Sequence, residues 1–354
     1  MYQIKGPGIF LAQFLDSSPP FDSLPAIASW ASRLGFKGVQ IPAWDTRAID
    51  LDLAGNSKTY CDEIRGILAD RNLEIIELAA YLQGQCMAMH PAYEKLFQPF
   101  YPDGLNDIQR TAWSTDQIKK TIDASVLLGT QNISVLSGSL AWPFLYPWPQ
   151  RTEGLIEDAF AELGKRWRPV LDYAQENGVT IGFELHPGSD LFDGYTYQLF
   201  LETVHGHESA CITYDPSHFL LQQADYIDFI HLFSDRIKAF HVKDAEFNPT
   251  GLGGVYGSYA EWKNRAGRFR SLGDGQVDFR KIFGLLTEKG YDGWAILEWE
   301  CCIKSPEQGA REAVPFMENL LIETTTKSFD DFAKGKNGRP FNRELLGIKQ
   351  MTNG

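Results

Sequence analysis

Four short apolar segments in the second half of the chain, TIGFELHPG, CITYDPSH, IKAFHVKD and GWAILEWE, turn polar only near their C-terminal ends, at Glu184, Asp215, His241 and Glu298. Three carboxylates and one imidazole form an O3N donor set. That set suits one hard divalent ion, Mn2+ first with Mg2+ and Co2+ as alternatives, rather than a thiolate-seeking metal. A single glutamate at a strand end is commonly just solvated. Four candidates at the corresponding ends of four successive strands are different, because a parallel barrel opens all its strand ends onto one face. Residues spaced 25 to 60 positions apart would then converge on one point.

Side chains two apart on a strand share a face. Glu184 therefore pairs with His186, and His241 with Lys243, a cation directed at a substrate bound beside the metal. Asp215 opens a DxxH run that places His218 just past its strand. Glu298 and Glu300 share a face, so parity does not choose between them. Glu298, directly after the apolar AIL, is taken as the ligand, with Glu300 behind it. His90 lies in a long loop from which it could reach substrate. His205 and His207 have a metal-like HxH spacing but precede a strand, on the stability face of a barrel, and are read as solvent-exposed.

The elements that must position these residues alternate along the chain. Strands are expected at Gly8 to Phe14, Gly38 to Trp44, Leu73 to Tyr81 and Asn132 to Gly138, before the four already named. Helical spacing of apolar residues marks Leu24 to Gly35, Thr59 to Asn72, Ser114 to Gly129 (with Ser114 as N-cap) and Ala159 to Gly178. Glycines at 35, 129, 178 and 290 close helices just before the next strand. Eight strands in this rhythm predict an α/β fold, a single (β/α)8 TIM barrel over residues 1–322 with long βα loops, followed by a polar helical or extended appendage at 323–354 that serves as an oligomer contact. No GxGxxG follows strand one, which removes support for a dinucleotide fold.

Three long connections, Leu82 to Trp113, Ser139 to Glu157 and Ala245 to Gln276, leave the C-terminal ends of strands and are rich in aromatic rings. Tyr93, Phe97, Phe100 and Tyr101 lie in the first. Trp142, Phe144, Tyr146 and Trp148 lie in the second, and Tyr256, Tyr259, Trp262 and Phe269 in the third. Such rings stack against the C–H faces of sugars, or simply pin long loops to the barrel.

A net charge of −13 repels a nucleic-acid backbone. The N-terminus lacks the basic start and apolar core of a signal peptide, and no apolar run is long enough for a membrane span. Five cysteines without a CxxC pair are expected as free thiols in a reducing cytoplasm.

FELHPG, YDPSH, FHVKD, SLGDGQVDF (Ser271 to Phe279) and AILEWE together resemble the xylose isomerase-like barrel superfamily over roughly residues 8 to 320. The similarity is to its sugar isomerase/epimerase branch, with hydroxypyruvate isomerase, tagatose epimerase and inosose dehydratase relatives. The resemblance implies a metal held by Glu184, Asp215, His241 and Glu298, with Glu184 and Glu298 also moving protons and His218 contacting a carbohydrate substrate. Where the epimerases often carry an arginine after the metal histidine, Lys243 and Asp244 stand here. That departure and the long loops point to a substrate larger than a free ketose, such as a keto-glycoside. The implied chemistry is isomerisation or epimerisation through an enediolate; β-elimination from a 3-keto sugar, 3-keto-glycoside or inosose is the alternative. An abasic-site endonuclease of the same superfamily would need more histidines and a basic groove.

Overall fold

The computed structural model describes residues 3–333, 335 and 338–348. Its strands in chain order are β1 (Lys5–Phe10), β2 (Gly38–Pro42), β3 (Glu74–Ala79), β4 (Asn132–Val135), β5 (Thr180–Glu184), β6 (Ala210–Tyr214), β7 (Ile237–Val242), β8 (Asp244–Phe247), β9 (Gly267–Arg270) and β10 (Trp294–Leu297). Eight of them close into a parallel barrel ordered β1-β10-β7-β6-β5-β4-β3-β2. Closure is made at Gly8 of β1, which pairs with Ile296 of β10 on one side and Gly38 of β2 on the other. Strand residues and the inner helix faces form one large apolar cluster, and Phe10, Ala79, Tyr81 and Ile296 form a smaller separate one. The expected (β/α)8 architecture is present.

At the end of the barrel opposite the loops, Ile76 and Trp294 fill the interior. A Cβ on Gly38 would sit 2.9 Å from both side chains, so this strand position has room only for hydrogen. Between β2 and β3 the register slips: Val39 pairs with Ile75, but Gln40 pairs with Glu77. The extra residue changes which β3 side chains face inward, with consequences at the site described below.

Helix ends follow the expected glycines: Gly35, Gly129, Gly178 and Gly290 all adopt positive φ. Other boundaries shift. The helix expected from Ser114 begins at Asp107, where Asn106 and Gln109 form a reciprocal capping box. Ser114 is buried inside this helix, its hydroxyl donating to the Gln83 carbonyl. The first long loop is thus partly helical. The third holds the antiparallel pair β8 and β9. The strand expected at Gly8 to Phe14 ends at Phe10, beyond which turns release the chain toward the pocket.

Two carboxylates fasten these loops. Asp190 accepts from the backbone N–H groups of Leu140, Ala141 and Trp142 at 2.7 to 2.9 Å, holding the second loop. Asp244, just after β7, accepts from Gly273 and Gly275 at 2.9 Å each and from Val277 at 3.3 Å. A Cβ on Gly275 would lie 2.1 Å from Asp244 Oδ1, which explains the glycine in SLGDGQVDF.

The chain divides into a compact unit of Tyr2–Ile322 and a second unit from Glu323 onward. Within the latter, a 3-10 turn at Asp331–Ala333 and a helix at Arg339–Leu345 are described, and Phe329 and Phe332 are exposed. Among the described residues no helix is long and apolar enough to cross a membrane. The five cysteines are free thiols.

Candidate metal centre

Glu184 ends β5, Asp215 directly follows β6, His241 is the penultimate residue of β7, and Glu298 directly follows β10. One donor atom from each lies within 4.8 Å of the other three, and all four residues are buried. The local chain explains the aim of each group. Asp215 caps the helix Pro216–Gln222 by accepting from Ser217 N–H through Oδ1 at 2.8 Å, which turns Oδ2 inward. That Oδ2 is buried and makes no hydrogen bond. His241 Nδ1 faces Glu298 Oε2 at 2.6 Å and lies 3.8 Å from Glu184 Oε2. Between Glu298 and Glu300, the cluster takes Glu298; Glu300 is partly exposed and pairs instead with Lys243.

A divalent ion fits this donor set. Buried acceptors crowd together, one without a hydrogen-bond donor, and a cation would relieve their mutual repulsion. Burial and the neighbouring Glu298 charge push Glu184 up to about 7. Burial, with the charges of Glu184 and Glu298, outweighs Lys243 and pushes Asp215 up to about 8. Burial opposes the charge on His241, but Glu298 beside it, then Glu184 and Asp215, raise it to about 9. Burial also opposes ionisation of Glu298, yet the Lys243 and His241 cations hold it well below the usual carboxylate range.

The neighbours predicted from spacing arrive as expected in three cases. His218 Nε2 lies 3.0 Å from Glu184 Oε1 and 3.3 Å from Asp215 Oδ2. Burial, then the nearby His186, Lys243 and His241, lower its pKa well below the ordinary value, so it stands as a neutral imidazole. The ring of His186 packs 4.2 Å from that of His218. Lys243, 1% exposed, directs Nζ to Glu300 at 3.1 Å, Glu298 at 3.5 Å and Asp215 at 3.6 Å, over the ring of Phe269 at 4.5 Å.

Two further histidines stand outside the cluster, and one of them, His207, departs from its expected exposure. His90 accepts from Ala92 N–H through Nδ1 and packs edge-on against Phe144, tying the first loop to the second rather than joining the cluster. His207 is buried, not solvent-exposed: its Nδ1 accepts from Ser209 N–H and its Nε2 lies 3.2 Å from Asp172. It braces the turn entering β6 while its neighbours His205, Gly206 and Glu208 stay exposed.

Several residues at the site were not foreseen. His241 Nε2 lies 3.0 Å from Gln40 Oε1, and Gln40 Nε2 donates to Glu77 Oε1 at 2.7 Å. Glu77 also accepts from Asn132 Nδ2 at 2.5 Å and from the Ser134 hydroxyl. This chain fixes the ring so that Nδ1 faces the other donors. Gln13 Nε2 donates to Glu298 Oε1 at 2.9 Å. Phe10 stacks on His241 with centroids 5.9 Å apart, Tyr81 meets it edge-on at 6.3 Å, and Trp44 contacts both aromatic rings. The Tyr81 hydroxyl lies beside Glu184 without forming a well-directed hydrogen bond. These three rings sit at or just past the ends of β1, β2 and β3, so the strand-end rule that found the acids applies to them as well.

The long loops meet one another above this site. Tyr146 of the second contacts Tyr256 of the third at 5.7 Å, and Trp142, Tyr256 and Trp262 line a cavity of about 350 Å3 with Pro187 and Leu221.

Fold and site together define a (β/α)8 barrel with a buried acid–imidazole centre at the mouth where its strands end. The chain belongs to the xylose isomerase-like TIM barrel family, whose model matches residues 28–320. The inosose dehydratase of Geobacillus kaustophilus (strain HTA426) is 25% identical over 191 residues, covering 52% of this chain and 61% of that one. The matched stretch thus spans less than two thirds of that relative's length. In structure, the E. coli 3-keto-D-glucoside 4-epimerase superposes with a TM-score of 0.61 at 14% identity, covering 88% of this chain and 98% of that one. A probable 3-DHS dehydratase from Bacillus anthracis superposes with a TM-score of 0.61 at 18% identity, covering 89% and 99%. At these identities the structural likenesses show the fold alone.

Proposed function

We propose that this chain is a divalent-metal-dependent isomerase or epimerase of a keto sugar or sugar derivative, removing the proton α to the carbonyl and passing through the substrate's enediolate. The observation that carries this reading is the convergence of Glu184, Asp215, His241 and Glu298 within 4.8 Å in a buried pocket. These four residues would hold one ion, Mn2+ first with Mg2+ and Co2+ as alternatives, which would supply a Lewis acid to polarise the carbonyl. Glu184 and Glu298, at the ends of β5 and β10, supply the carboxylates that take the proton from one carbon and return it to another carbon or to the opposite face. Lys243 presents a fixed positive charge to the oxyanion as charge develops. His218 orients Glu184 and reaches toward the substrate. Phe10, Trp44 and Tyr81 offer ring faces to a sugar and keep water from one side of the site.

A second reading shares the first step and then expels a group β to the carbonyl. The inosose dehydratase relative favours it, because dehydration is such an elimination. Proton NMR of the Mg2+-loaded enzyme in D2O, with a panel of ketoses, inososes and 3-keto-glucosides, tests both. Deuterium next to the carbonyl of an intact skeleton supports isomerisation or epimerisation. Release of water or an aglycone supports the lyase. No exchange with any of them overturns both.

A further inference from the structure

A cavity of about 340 Å3 adjoins the candidate centre: one lining residue touches the ligand candidate Glu298, and two others touch its neighbours Lys243 and His218. Gln13 lines it and donates to Glu298; Glu300 lines it and holds Lys243 at 3.1 Å. Phe269 lines it, covers Lys243 and meets the His218 ring at 5.5 Å. The remaining lining is Trp262, Trp299, Cys301 and Cys302, mostly apolar. Resting on the function proposed above, we propose that this cavity is a second subsite that takes a planar aromatic substituent of the sugar substrate, with Trp262 as a specificity-determining residue.

Size, polarity and rigidity all point to that occupant. An apolar cavity of about 150 Å3 already accommodates benzene, so this one has room for one or two fused rings. Its polar side chains, Gln13 and Glu300, stand toward the cluster, where the sugar would lie. A second sugar ring would bring many hydroxyls against the two indoles and two cysteines, where they lose water and gain few partners. An aromatic group instead finds ring faces and edges and polarisable sulfur. Trp262 is held ready for such a contact although it stands in a long loop. Its ring lies 4.9 Å from that of Phe269 at an interplanar angle of 31°, and the Arg265 guanidinium sits 4.2 Å from its centroid. A wall already ordered loses little freedom when a ligand arrives.

The experiment pairs turnover with binding on the full chain. In turnover, kcat/KM for phenyl 3-keto-β-D-glucoside is expected to exceed that for the methyl glycoside by about tenfold or more, the scale of one well-filled apolar pocket. Trp262→Ala is expected to erase most of that ratio, and Trp262→Phe to retain most of it. In binding, saturation-transfer NMR with phenyl β-D-glucoside, methyl β-D-glucoside and cellobiose should show the strongest transfer to the phenyl protons, lost in Trp262→Ala. Turnover without phenyl preference overturns the subsite and leaves the proposed chemistry standing. Transfer to the second sugar of cellobiose equal to that of phenyl also overturns it, in favour of a sugar subsite. Phenyl binding that depends on Trp262 with no turnover of any keto sugar supports the subsite and sinks the chemistry.

Discussion

His241 Nδ1 lies 2.6 Å from Glu298 Oε2, across the neighbouring strands β7 and β10. Without a metal this is a proton-sharing pair: the same two atoms that would hold a cation instead hold one proton. The pairing links metal uptake, protonation and stability at a single place in the barrel.

Metal binding should therefore tighten with rising pH and release protons. In the metal-free protein Glu184 at about 7, Asp215 at about 8 and His241 at about 9 all bind protons more tightly than in an unfolded chain. For the two carboxylates this means the folded state is favoured at low pH and loses that advantage as pH rises through about 4 to 8. The His241 contribution is complete below about 6.5 and is lost through about 9. Glu298 remains ionised across that range. A metal competes with these protons, so Mn2+ affinity should climb between pH 6 and pH 8. Calorimetry at several pH values, in buffers of different ionisation enthalpy, measures affinity and proton release together; a flat or falling affinity would refute the ligand assignment.

Glu298→Gln should lower kcat/KM by at least about 10³-fold, because it removes a ligand and a proton-transfer group together. Glu300→Gln should leave metal content intact and act on substrate binding, since Glu300 touches Lys243 rather than the centre. Metal analysis beside steady-state kinetics separates the two. Full activity in Glu298→Gln with loss in Glu300→Gln would exchange their roles.

Gln40→Leu is expected to weaken metal affinity about 10- to 100-fold, the usual effect of removing the partner that orients a ligating imidazole. It should do so while the barrel stays folded by circular dichroism. Unchanged affinity would mean that packing by Phe10 alone aligns the His241 ring.

Gly275→Ala should destabilise the protein by about 1–3 kcal/mol, because the new methyl displaces Asp244 from the loop it fastens. Thermal unfolding compared with wild type checks the cost. An unaltered transition would show that the Asp244 clamp contributes little.

The strand-end acids were readable because two regularities coincide in the chain. Apolar runs such as CITY and AIL mark a buried strand, and the first polar residue after each marks the mouth of the barrel. Glu184, Asp215, His241 and Glu298 follow from that rule, as do Lys243 and His218 from their short offsets. The helix-closing glycines were readable for a similar local reason, since a left-handed turn disfavours any residue with a Cβ.

Glu77 and Gln40 followed no such rule. Strict alternation misplaces Glu77, because a one-residue slip between β2 and β3 changes which side chains face inward. That slip depends on how two strands pair, and no single segment contains the information. His207 depends on the same kind of information: its contact with Asp172, on a distant helix, exists only in the folded chain. The shape of the aromatic cavity likewise depends on Gln13, Trp262 and Trp299, three side chains far apart along the chain that only the closed barrel and its folded loops bring to one wall. Local patterning thus specified which residues carry chemistry and on which face they lie. Strand register and loop packing, which are long-range properties, settled which of them touch and what surrounds them.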